Sequence, residues 1–374
     1  MKLVIIAPSA IPSRTANSIQ SMKMAQAFSQ LGHEVMLLAP GDDPSLPWHQ
    51  IAEHYGLNQR FQLEWLNSAP VLRRYDFALR AVSRSRGWGA DLLFTRLPQA
   101  AAIASLQGLP TVFEVHDLPG GILGPILFRL YLRGSGSIGL VSITQALADD
   151  LQTAYHIPPQ FVLLAPDAVD LERYQDLPEP QKTRLQLNLP ERFTAGYTGH
   201  LYPGRGADFI LELAAELPQI TFLLVGGESQ AVQQLQQAST ELPNVIFTGF
   251  VPNVDLPLYQ AACDALLMPY DKQVSASSGG DIARYLSPMK MFEYLAAGRV
   301  VLASDLPVLA EVLRSDNSII LPANNLRSWV VTLAELLVRP EMCSYLADNA
   351  RRTAQRYSWQ ARAEKILNSI GIDQ

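Results

Sequence analysis

The same order of elements occurs twice in this chain: an apolar strand, a loop, an amphipathic helix and another apolar strand. The first instance starts at Lys2, where Leu, Val and Ile follow without a polar break, as in a parallel strand buried on both faces. A loop of Ser, Pro, Arg, Thr and Asn leads into NSIQSMKMAQAFSQLG. There Ile19, Met22, Met24, Ala25 and Phe28 recur at helical spacing, Gly32 supplies the stop, and HEVMLLAP is the next strand. The second instance starts near Phe193: FTAGYTGH is a strand, LYPGRGA a glycine-rich loop, DFILELAAEL a helix and TFLLVGG a strand, with NVIFTGF and DALLMPY to follow. Each is a βαβ unit, the kind of crossover that parallel strands require. Two such starts so far apart predict two doubly wound α/β domains rather than one large sheet.

A chain of 374 residues is long enough for two cores. QDLPEPQKTRLQLNLPER is rich in Pro and charge and poor in strand formers, so it is the expected linker between domains over 1–180 and 192–355. A net charge of −6 and a pI near 5.6 argue against nucleic acid as a partner. No apolar run approaches the ~18–20 residues that span a bilayer, and the short N-terminal run reads as a strand rather than a secretory leader. Cys263 and Cys343 make no disulfide framework, and the 6 histidines show no HxH, HxxxH or HExxH spacing for a metal. A soluble, cytoplasmic protein is expected.

The strongest local signal is SPMKMFEYLAAGRVVLAS. Ser287 suits an N-cap and Pro288 the first helical position; Met289, Phe292, Leu295 and Ala296 form the anchoring stripe, and Gly298 ends the helix. Lys290 in the first turn opposes the helix dipole, at a cost of about 0.3–1 kcal/mol that a bound anion would reverse. The alternative is a surface pair with Glu293, worth about 0.2–0.5 kcal/mol. In TGHLYPGRGADF, Gly199, Gly204 and Gly206 would let backbone approach a ligand, and Arg205 presents a cationic fork near a helix start. The strand in FEVHDLPGG ends at His116 and Asp117, where open α/β sheets bind their ligands.

Taken in order, these segments resemble the family-4 (group 1) retaining glycosyltransferases of the GT-B fold. The likeness runs through QLGHEV, EVHD, SITQAL, APDAVDLERY, TGHLYPGRGADFILELAAEL, NVIFTGFVPNVDL, YQAACDALLMPY, SPMKMFEYLAAGRVVLASDLPVLAEV and the closing YSW. It implies two Rossmann-like doubly wound domains facing across a cleft, with a last helix over 356–374 crossing back to the N-terminal domain. It implies a transferase that moves a sugar with retention, needs no metal or other cofactor, and takes a UDP- or GDP-linked donor and a saccharide or lipid-linked acceptor. His116 matches the histidine that meets the donor sugar, and Arg205 the basic residue on the donor diphosphate. Glu293 matches the second acid of a Glu-x7-Glu motif that usually binds the ribose, and Phe250 and Val251 lie where the base is cradled. Gly199, His200, Gly204, Tyr285, Ser287 and Met289 complete the donor side, while position 14 (Arg14), Asn17, Ser18 and Asp117 belong to the acceptor side.

The chain departs from the family pattern at Tyr285, where the first motif acid is expected, and at His200, where an arginine is expected. An SPxKxFEY sub-group carries the same departure, and there Lys290 substitutes on the diphosphate, joining His116 and Arg205 as catalytic. The alternative is a non-catalytic nucleotide-sugar-binding or scaffold protein that lost chemistry through Tyr285. A dehydrogenase is disfavoured because neither βα turn carries GxGxxG. Finally, Arg73, Arg74, Arg80, Arg84 and Arg86 stand against one acid, with Leu72, Tyr75, Leu79 and Val82 at helical spacing. This reads as a solvated helix face or as a peripheral contact with an anionic inner membrane face, to which ILGPILFRLYLRG could add apolar area.

Overall fold

The first apolar run is β1 (Lys2–Ile6), and its Leu3, Val4, Ile5 and Ile6 are buried, as a strand covered on both faces requires. In the computed structural model, which describes residues 1–275 and 279–371, six further strands pair with it: β2 (Glu34–Pro40), β3 (Gln62–Leu66), β4 (Leu92–Thr95), β5 (Thr111–Val115), β6 (Ser137–Ser142) and β7 (Val162–Leu164). All pairs are parallel, in the order β3-β2-β1-β4-β5-β6-β7. A second parallel sheet holds β8 (Thr194–Thr198), β9 (Thr221–Val225), β10 (Val245–Gly249), β11 (Ala265–Met268), β12 (Val300–Ser304) and β13 (Ile319–Leu321). Its order is β10-β9-β8-β11-β12-β13. In each sheet the order reverses once, beside β1 and beside β8, and such reversals open the crevices that hold ligands.

By internal packing the chain forms two units. The first comprises residues 1–167 with the stretch that begins at Trp359; the second is Ala168–Ser358. Within the first unit the helix Trp359–Ser369 packs on the helix Ala16–Gln30. The stretch over 175–192 is not free chain. Pro180–Gln186 forms a helix with its proline in the first turn, Thr183 and Arg184 are buried, and Arg184 donates to Asp264 at 2.8 Å and to the Ala262 carbonyl at 3.0 Å. The proline that looks like linker composition is a helix start.

The basic segment also differs from its reading. In the helix Tyr75–Trp88 the inward face is Phe77, Ala78, Ala81, Val82 and Ser85, while Leu79 is 55% exposed. Arg84 is held by both oxygens of Glu64, an acid contributed by β3 from outside the segment.

Candidate functional site

In the second unit Gly199, Arg205 and Lys290, three of the residues expected on the donor side, come together beyond the end of β8. Gly199 follows β8 with φ 122°, and a Cβ there would lie 3.1 Å from the Lys290 ammonium. Gly204 and Gly206 serve a different purpose from the one expected. Side chains there would strike the Gln273 and Pro269 carbonyls at 1.9 and 2.1 Å, so these glycines let the loop close against the neighbouring backbone. The loop is further fixed by the Tyr197 hydroxyl, which donates to the His200 carbonyl at 2.6 Å, and by the His200 ring stacked on Tyr202.

The helix Met289–Ala297 begins one residue later than its sequence indicates. Pro288 occupies the N-cap and no side chain caps the first turn; Ser287 is buried just outside it. Lys290 is 8% exposed, with its ammonium 3.7 Å from the centre of the Tyr197 ring and no hydrogen-bond partner among the described residues. Burial, with Arg205 nearby, holds its pKa well below that of an ordinary lysine against the opposing pull of Glu293. The expectation of a surface pair with Glu293 therefore fails. Instead Glu293 accepts from the amide of the fully buried Gln260 at 3.2 Å, and Gln260 in turn accepts from the Tyr174 hydroxyl at 2.9 Å. Arg205 lies over the Tyr202 ring and donates to the Ser275 carbonyl at 3.4 Å, and its buried Nε has no partner among the described residues.

Tyr285 is buried beneath the Arg284 guanidinium, Met289 is half-buried, and Phe250 and Val251 follow the left-handed Gly249 at the end of β10, with Phe250 39% exposed. Gln260, Tyr174, Tyr197 and Tyr270 were not legible as site residues. They look like ordinary core residues until the fold sets them beside Glu293 and Lys290.

In the first unit, His116 and Asp117 follow β5 and line a cavity of about 320 Å³ with Asn17, Arg96 and Glu114. Ser18 is not among its walls; it is fully buried and its hydroxyl donates to the Ser13 and Thr15 carbonyls, holding the loop before the helix Ala16–Gln30. Arg14 is exposed. Behind the cavity lies a charge cluster that sequence reading missed. The Glu114 carboxylate, 1% exposed, meets the His116 ring, the Gln20 amide and Arg362, the last at 2.9 Å. Burial pushes Glu114 up, but Arg362, His116 and Arg96 outweigh it and hold the carboxyl well below the usual range. Burial, with Arg96 beside it, lowers His116 to about 4, and burial raises Asp167 to about 6 against the pull of Arg362.

Two family models match this chain: Glycosyl transferases group 1 over residues 192–339, and Glycosyltransferase Family 4 over residues 20–173. The chain belongs to the group 1 glycosyltransferases. This glycosyltransferase is 26% identical over 301 residues to a 2-deoxystreptamine glucosyltransferase of Streptomyces kanamyceticus, covering 67% of this chain and 74% of that one. It is 24% identical over 278 residues to an alpha-galactosylglucosyldiacylglycerol synthase of Streptococcus pneumoniae, covering 69% of each. Among solved structures, Anabaena Alr3699/HepE in complex with UDP and glucose matches with a TM-score of 0.76 at 19% identity over 99% of both chains. The glycosyltransferase has the GT-B fold, and the family and fold expected from its ordered motifs hold.

Proposed function

We propose that this glycosyltransferase moves a sugar with retention, and without a metal, from a UDP- or GDP-linked donor to a saccharide or lipid-linked acceptor. One observation carries the donor side: Lys290 is buried with no acceptor for its ammonium among the described residues, beside Arg205 and at a helix start without a side-chain cap. Two cations and free helix N–H groups suit a diphosphate, whose charge grows as the glycosidic bond breaks. Glu293, oriented by Gln260, offers a carboxylate to the ribose hydroxyls. Front-side attack, with the leaving phosphate taking the acceptor's proton, gives retention. A thermal-shift panel of UDP-, GDP- and ADP-sugars, followed by transfer assays with and without chelator, tests this reading. One nucleotide is expected to stabilise the protein by about 2.7 kcal/mol at a hundredfold excess over Kd, with turnover indifferent to chelator. Indifference to every nucleotide would sink it.

A second observation bears on the acceptor. On the helix Leu123–Arg133 the inward residues are Phe128 and Tyr131, while Ile122, Leu123 and Ile126 are 86, 47 and 48% exposed, and Arg129 and Arg133 share the outer side. The segment has no acid although the whole chain carries −6. An apolar helix face with arginines fits an anionic inner membrane face, each arginine worth about 1 kcal/mol there, and with it a lipid-linked acceptor. No helix among the described residues is long and apolar enough to cross a membrane, so the contact would be peripheral. Sedimentation with anionic vesicles at low salt should pull the protein down, and neutral vesicles should not. Equal binding to both favours a soluble saccharide.

A further inference from the structure

The buried cluster of the first unit fixes a proton by elimination. Arg96 and Arg362 have only donors. Arg96 meets the side-chain oxygen of Gln20 at 2.9 Å, so the Gln20 nitrogen is the group that faces Glu114 Oε1. Arg362 meets Glu114 Oε2 at 2.9 Å and is itself held by the Ala165 and Pro166 carbonyls at 3.0 and 2.8 Å. Both carboxylate oxygens thus face obligate donors, and Glu114 has no room for a proton of its own. The His116 Nε2 that also meets Oε1 must then be the donor. A second proton on this ring would add a third cation beside Arg96 and Arg362 in a buried place, so the ring stays neutral. Its Nδ1 is left as a lone-pair acceptor, and His116 lines the first-unit cavity.

We propose that Glu114 and Arg362 are positioning residues that lock His116 as the Nε2–H tautomer, so that Nδ1 reads a hydroxyl donor of the substrate lodged in that cavity. His116 then acts as a hydrogen-bond acceptor and not as an acid. The C-terminal helix, through Arg362, completes this site. The inference rests on reading the cavity as a substrate site of the transferase.

Nitrogen-15 NMR of histidine-labelled full-length protein tests the lock directly, with the His116 signals identified by their loss in His116→Gln. A neutral Nε2–H tautomer at pH 7 is expected; an Nδ1–H tautomer or an imidazolium overturns the proposal without any further variant. Glu114→Leu sharpens the test. It keeps the volume but removes both carboxylate acceptors, so nothing in the cluster holds the proton on Nε2. That variant should no longer show the single Nε2–H tautomer and should lose turnover roughly 10- to 100-fold, the scale of losing a carboxylate behind a ligating histidine. Nucleotide affinity, which belongs to the second unit, should not move. Arg362→Lys, which keeps a donor and the charge, should preserve the wild-type tautomer. A folded Glu114→Leu protein with the original tautomer alone, or with an altered one and full turnover, overturns the proposal. Absence of transfer by the wild type would fail the functional reading alone, since the spectra decide the lock independently.

Discussion

The two units bury charge in opposite ways. In the first, Arg96, Glu114, Asp167 and Arg362 lie close together, and the chain supplies both signs: Arg362 answers Glu114, and Gln20 bridges Glu114 to Arg96. In the second, Lys290 and Arg205 lie near each other, the Lys290 ammonium faces the Tyr197 and Tyr270 rings, and neither it nor the buried Nε of Arg205 has a hydrogen-bond partner among the described residues. A buried charge that its own chain neutralises holds a shape; one left without a counterion waits for a ligand to bring it. The first cluster therefore organises a surface before anything binds, whereas the second spends stability until an anion arrives.

The sharpest way to break this comparison is to remove one cation from each unit. Arg362→Met strands the Glu114 carboxylate in a buried place and should cost about 3–5 kcal/mol in urea unfolding. Lys290→Met deletes a buried charge that has no acceptor among the described residues, so the free protein should be as stable as before or more so. Equal losses from both would mean that Lys290 is paired like Arg362.

Turnover should reverse that ranking's cause. Arg205→Ala and Lys290→Ala should each lower the transfer rate by about 10²–10³-fold, the scale of removing one preorganised donor from developing negative charge. Circular dichroism should remain that of the wild type. Near-normal rates in both variants would remove the diphosphate cradle.

Acid stability separates two groups inside the first cluster. His116 binds its proton at about 4 when folded and at an ordinary value near 6.5 when unfolded. The unfolded chain therefore takes up more protons between those values, and acidification destabilises. Asp167 binds its proton at about 6 when folded against 3.8 unfolded, so acidification through that window stabilises. Each amounts to about 3 kcal/mol at 1.36 kcal/mol per pH unit, and between pH 6 and 4.5 they oppose each other. The wild type should be nearly flat there. Asp167→Asn should fall steeply with acid, and His116→Gln should gain stability; parallel slopes for both variants would contradict the assignment.

Much of the fold was legible because strand and helix periods are local. The βαβ starts at Lys2 and Phe193 needed no knowledge of distant residues, and Lys290 stood out because a cation in a first turn conflicts with the helix dipole. The helix start at Met289 was displaced because a serine and a proline each suit a start, and only packing decides which residue begins to turn. Glu114 had a signal that went unused, since a lone acid in the otherwise apolar TVFEV of a doubly covered strand has to be paired. Its partner could not be read, because Arg362 is 248 residues away on an ordinary amphipathic helix. The Tyr174–Gln260–Glu293 chain was hidden for the same reason.

That last chain gives the smallest expected effect. Gln260 donates through Nε2 to Glu293 Oε2, and its own oxygen is fixed by the Tyr174 hydroxyl, so its amide cannot turn over to suit a new partner. In Glu293→Gln the new oxygen must stay on Gln260, and the new NH2 takes the place of the other carboxylate oxygen. The ribose diol then meets a donor where it had a charged acceptor. A hydrogen bond to a charged group is worth about 1.5–3 kcal/mol, so calorimetry should show nucleotide-sugar binding weakened roughly 10- to 100-fold. Unfolding of the free protein should change less than nucleotide-sugar binding does, because Gln260 keeps its acceptor. The effect should also be smaller on turnover at saturating donor than that of Lys290→Ala, since the ribose contact does not grow as the leaving group departs. If donor affinity is unchanged, the Tyr174–Gln260 pair serves packing alone, and the second unit's waiting charge reduces to Lys290 and Arg205.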